Sequence, residues 1–197
     1  MKKLLSLLLL MTLSLYANNS YTKIHTSIYQ GDIDSITKLV TLSSVDELDK
    51  QTKAGVSPLH MAIKLGRVDI VKLLLSKEID IDIQDNKGNT PLHYAIAKDR
   101  LDIVKLLLAK EADIELSNGS AITPLHQASY TGDIKIVTYL VDQGAKVDSL
   151  NDQGTTPCQM ALARSNMRVV SLLTELTKKE CLKVPNKKYN ENNNIKE

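Results

Sequence analysis

The chain has 197 residues, with 25 Lys and Arg against 23 Asp and Glu, and it lacks Trp and Phe. A formal charge of +2 gives no global drive toward nucleic acid or an anionic membrane. The length suffices to bury a substantial core, which must be built from Leu, Ile, Val and Ala because only 4% of residues are aromatic.

The first element is a leader. Met1-Lys2-Lys3 is basic, Leu4 to Leu15 is apolar apart from Ser6, Thr12 and Ser14, and Ala17 precedes the polar Asn18-Asn19-Ser20. That order is expected of a secretory signal peptide over residues 1–17, of bacterial style, cleaved at or near Asn18. The apolar run is short for a membrane span, which takes about 20 residues. An uncleaved anchor is the alternative, because Leu15-Tyr16-Ala17 is an imperfect cleavage box. With no Cys at the junction, lipid attachment is not expected. The expected location is the periplasm of a Gram-negative cell. Lys2 and Lys3 leave with the leader, so 25 bases become 23 against 23 acids.

A four-residue phrase then recurs. Ser57-Pro58-Leu59-His60, Thr90-Pro91-Leu92-His93 and Thr123-Pro124-Leu125-His126 are spaced by 33 residues, followed by a worn copy, Thr156-Pro157-Cys158-Gln159. Each Ser or Thr suits a helix N-cap, and Pro suits the first helical position. In the copy near 85–117, Asp85 to Asn89 predicts a projecting turn. A first helix is predicted from about Pro91 to Lys98 and a second from Leu101 to Lys110. Leu101, Ile103, Val104, Leu106, Leu107 and Leu108 give the second helix a wide apolar face.

A fixed period of 33 with this phrase resembles the ankyrin repeats. The resemblance implies an all-α solenoid of about five helix-turn-helix repeats, near 21–51, 52–84, 85–117, 118–150 and 151–177, within a domain spanning 18–177. The end copies are degenerate, as caps must be to shield the core. The first lacks the Pro, aligns Ile24-His25 with Leu59-His60, and carries two extra residues between Thr41 and Gln51. Residues 178–197 are polar and Asn-rich, and are expected to be a flexible tail. Asp99 and Ser165 stand where the family has Gly between the helices, and Glu78 and Glu111 where Gly closes the second helix. A left-handed backbone there would cost about 1 kcal/mol for each Glu.

Little in the chain suggests catalysis. All four histidines, His25, His60, His93 and His126, occupy one repeat position, and the family uses it to tie one finger to the next. Spaced once per layer, they cannot converge on a metal. Asp80, Asp82, Asp113 and Asp148 read as solvated loop charges. No cofactor is expected. The even cysteine count of an exported chain suggests a Cys158–Cys181 bridge, since the two helices of a repeat are antiparallel; a buried Cys158 with a free Cys181 thiol is the alternative.

In the family, partners contact finger tips and the exposed side of the first helix. Alignment places Tyr29, Lys53, Val56, Lys64, Leu65, Lys87, Asn89, Lys98, Ile122, Tyr130 and Arg164 there. Five are basic, with Asp152 the opposing acid, and apolar or Tyr anchors lie among them. A solvated face of chance composition is the bland alternative. The resulting expectation is a non-enzymatic periplasmic protein, monomeric alone, that binds a partner bearing an acidic patch, with no role toward nucleic acid or, once the leader is removed, a membrane. Resemblance to small exported ankyrin proteins implies support of a haem enzyme under oxidative stress. Immunity against a toxin delivered to the periplasm is the alternative, and an enzyme or metal carrier a weaker third.

Overall fold

The structure is a computed structural model in which residues 22–179 and Cys181 are described. The proposed leader, its junction at Asn18 and nearly all of the proposed tail lie outside the described residues. Eleven helices and no strand occur among the described residues: α1 (Lys23–Gln30), α2 (Ile33–Leu42), α3 (Val45–Leu48), α4 (Pro58–Lys64), α5 (Val68–Leu74), α6 (Pro91–Ala97), α7 (Leu101–Leu108), α8 (Pro124–Thr131), α9 (Ile134–Asp142), α10 (Pro157–Ala163) and α11 (Met167–Thr177). Ten of them form five antiparallel pairs, and each first helix packs on the first helix of the next pair. The short α3 occupies the two-residue insertion, capped by Ser44 and burying Leu48.

The recurring phrase starts the first helices by a reciprocal cap. In α6, Thr90 Oγ1 accepts the His93 N–H at 3.4 Å, and His93 Nδ1 accepts the Thr90 N–H at 3.3 Å. The imidazole thus does what Glu or Gln does in the usual capping box. Thr22-Lys23-Ile24-His25 closes the same box without Pro, and the last copy closes it with Gln159 Oε1 accepting from Thr156 N at 2.9 Å.

Having Nδ1 as acceptor leaves Nε2–H as donor. His25 bonds the Val56 carbonyl at 3.0 Å, His60 that of Asn89 at 3.0 Å, His93 that of Ile122 at 2.9 Å and His126 that of Thr155 at 2.9 Å. Every bond joins one pair to the finger of the next. Burial is the main cause lowering all four pKa values, bringing His60 to about 4, and it works against the carbonyl bonds, which favour the charged form.

The second helices supply most of the remaining core. Ile103, Val104 and Leu107 are fully buried, while Leu101, Leu106 and Leu108 pack on the core's edge. The helix turns use left-handed residues, Asp99 and Ser165 taking that conformation alongside Gly31, Gly66 and Gly132. Glu111 is left-handed at φ +66°, and the Ala112 N–H closes on the Leu107 carbonyl. Glu78 differs from expectation: its backbone is not left-handed. The buried residue that follows is Ala112 in one copy and Ala145 in another, but the bulkier, half-buried Ile79 here. The chain leaves α5 without that tight closure.

The acidic loops also depart from the solvated reading. Asp82 accepts the Asp113 N–H at 3.0 and 3.1 Å, Asp49 accepts that of Asp80 at 3.0 Å, and Glu115 accepts that of Lys146 at 2.8 Å. These carboxylates tie neighbouring loops together, and Asp148 alone of the four expected loop charges is simply exposed. Partial burial, helped by neighbouring acids, raises the pKa of Asp49 and Asp82 against the lowering effect of those bonds.

At the end of the stack, Cys158 is buried beneath α11, and its Sγ stands 1.99 Å from that of Cys181, at bonding distance. The link closes 23 residues of separation around the last pair. No helix among the described residues is long and apolar enough to cross a membrane.

Candidate protein-binding face

The fingers are held in register by one backbone bond per step. Asn86 N–H donates to Ala54 O at 3.1 Å, Gly119 to Lys87 O at 2.9 Å and Asp152 to Ser120 O at 3.2 Å. Such approach leaves no room for a side chain: a Cβ on Gly55 would meet Asn86 N at 2.4 Å, and one on Gly88 would meet Gly119 N at 2.4 Å. In the fourth finger Ala121 holds the equivalent place with φ +53°. Its step has the longest of the three bonds.

Each finger is braced from inside by its first residue. Asp85 accepts the N–H groups of Lys87 at 2.8 Å and Asn89 at 2.9 Å, together with the Tyr94 hydroxyl at 2.9 Å. Asn118 and Asn151 make the equivalent backbone bonds in the fourth and fifth fingers. Burial opposes the Asp85 carboxylate, but the bonds from Asn89, Lys87 and Tyr94 outweigh it and hold its pKa below the ordinary value. Burial and the Asp85 acceptor push the Tyr94 pKa upward. Tyr94 also meets the His60 ring edge-on at 4.7 Å, which joins the second and third pairs through side chains.

Between fingers and first helices run two grooves. The first, of about 570 Å³, lies across the second and third pairs and includes Val56, Lys64, Lys87, Asn89, Tyr94 and Lys98. Lys64, Lys87 and Lys98 are exposed. Among the described residues the ion pair within 4 Å is Arg100–Asp102, on the far side of the helix turns, so these three ammonium groups carry no such partner. The acid in this groove is Asp85, already occupied by its four donor groups.

The second groove, of about 820 Å³, crosses the fourth and fifth pairs. Ile122, Tyr130, Met160, Leu162 and Ala163 supply its apolar wall, and Asp152 is the charged residue lining it. Arg164 stacks over the Tyr130 ring with its guanidinium carbon 4.7 Å from the centroid, a contact that favours a fixed Tyr130.

The eleven residues read from the sequence therefore divide. Val56, Lys64, Lys87, Asn89 and Lys98 gather in the first groove, and Ile122, Tyr130 and Arg164 at the second. Tyr29, Lys53 and Leu65 are exposed but line neither. The Asn89 side chain is engaged structurally, donating to Asp85 and accepting from Asn118. Tyr94, Met160, Leu162 and Ala163 were missed. The 33-residue period places Tyr94 and Met160 at one repeat position, and a polar or aromatic residue there could have marked it as facing the groove.

No group of three or more His, Cys, Asp or Glu side chains among the described residues is placed to hold a metal ion. Two family models match the chain: one described as "Ankyrin repeats (3 copies)" over residues 24–118, the other as "Ankyrin repeats (many copies)" over 125–174. Comparison with the curated proteins finds no match.

Proposed function

Because the chain belongs to the ankyrin-repeat family, whose members are typically non-enzymatic binding scaffolds, we propose that it works in the periplasm as an adaptor for a partner protein with an acidic patch. The observation that carries this reading is the row of exposed Lys64, Lys87 and Lys98 without ion pairs, set against half-buried Val56 and Tyr94. Leaving three cations unpaired on a rigid face does nothing for the fold; it creates a local positive field that speeds encounter with an acidic surface. The leader read from Met1 to Ala17 supports the location.

The test is affinity capture with the tagged protein expressed in its own host, followed by mass spectrometry and by binding kinetics with Lys64→Glu/Lys98→Glu. That variant should associate at least tenfold more slowly and lose salt dependence. Unchanged kinetics in a folded variant would remove the concave face from consideration. Enzyme support and toxin immunity share this binding mode, and the identity of the captured protein separates them.

A further inference from the structure

The two grooves differ in chemistry although the repeats that build them share one template. The groove across the second and third pairs is ringed by Lys64, Lys87 and Lys98 over an apolar floor that includes Val56, Tyr94 and Ala97. The other is larger, is lined by no lysine, and is walled by Ile122, Met160 and Leu162, with Tyr130 held against Arg164. Lysine ammonium groups select carboxylates, whereas an apolar wall free of lysine selects a buried aliphatic or aromatic side chain. A uniformly basic surface would call for a uniformly acidic partner. This one does not.

We infer that the partner is read as one extended segment, with acidic side chains over the second and third pairs and a large apolar side chain inserted between the fourth and fifth. The inference rests on the concave-face reading and adds a composition and a spacing to it. Packed helices stand 8–10 Å apart, so groove centres two pairs apart are separated by roughly 20 Å. An extended chain advances about 3.3 Å per residue, which places the apolar residue about six positions from the acidic ones. The regular finger bonds at 3.1, 2.9 and 3.2 Å keep the two grooves at constant separation, so the spacing is a property of the scaffold.

Selection of a random twelve-residue peptide library on the full chain tests this. The expected consensus has two or three Asp or Glu residues and a Leu, Ile, Phe, Tyr or Trp five to seven positions away. Lys64→Glu/Lys98→Glu should abolish the acidic preference and spare the apolar one. Ala163→Glu, at an exposed position on the second groove's wall, should do the reverse. Each change should weaken a selected peptide by at least tenfold, with helical circular dichroism unchanged. A consensus of acids alone, an apolar preference without fixed spacing, or an empty selection would overturn the two-site segment. If the captured partner protein still responds to Lys64→Glu/Lys98→Glu in those cases, the concave-face reading survives and only this inference fails.

Discussion

The third and fifth helix pairs begin from nearly the same phrase and are completed by different means. In the third, His93 caps its own helix through Nδ1 and reaches the next finger through Nε2, at Ile122 O. In the fifth, Gln159 retains the cap at Thr156, and no sixth helix pair follows among the described residues. Cys158 replaces the buried Leu, and the pair is joined at its far end to Cys181. The third pair is thus fixed by its neighbours on both sides, while the fifth, the last among the described residues, has one neighbour and a local crosslink. The pattern teaches that the imidazole serves two functions, and that only the bridging one requires a following pair, as His25 of the first pair also shows at Val56 O.

Acid should expose this difference most strongly. Burial lowers the pKa of all four histidines, His60 from 6.5 to about 4. The unfolded chain takes up these protons near pH 6.5, and the folded chain resists them further down. The stability contributed by the neutral rings is therefore present above pH 6.5 and is lost as pH falls toward 4. For His60 alone this amounts to about 3 kcal/mol by pH 4. Urea midpoints should fall between pH 7 and pH 5, with hydrogen exchange rising first in the pairs that carry His. A midpoint that stays flat over this range would contradict the lowered pKa values of the buried rings.

The converse experiment acts on the last pair. Replacing Cys158 and Cys181 by Ala should lower stability by about 3 kcal/mol on loop-closure grounds. Faster amide exchange should be confined to α10 and α11. A uniform loss across all five pairs would mean that the crosslink supports the whole stack.

A single-residue comparison comes next. His93→Ala leaves the Thr90 N–H and the Ile122 carbonyl without their partner and should cost about 2 kcal/mol. Gln159→Ala removes the cap alone and should cost about 1 kcal/mol. Equal losses in chemical denaturation would show that the bridge to the next finger contributes nothing beyond capping.

The smallest effects lie in the fourth pair. Ser129 is buried where the second and third pairs place Ile63 and Ile96, and its hydroxyl has no hydrogen-bond partner. Ser129→Ala should stabilise by about 1 kcal/mol. Ala121→Gly relieves a left-handed Ala at φ +53° and should add somewhat less than about 1 kcal/mol. Thermal unfolding of the two single variants checks both; a lower midpoint for either would remove its stated cause.

The period of 33 by itself determined the helix pairs, their caps and the shared position of the histidines, because local capping and burial repeat with the residues that produce them. It also brought Cys158 and Cys181 to opposite helix ends that an antiparallel pair must place together. The face was legible only as a set of positions. Alignment could place Lys64 and Lys98 on one side, and could name Tyr130 and Arg164, but not stack them, since that contact joins residues 34 apart through side-chain geometry. The bracing of Asp85 by Tyr94 and the tie from Asp82 to Asp113 were likewise beyond it, because an acid in a loop has the same composition whether it faces water or a neighbour's N–H. Sequence periodicity determines what each layer contains. Only the stacking of layers decided which polar groups meet across them, and so where the face is basic and where it is apolar.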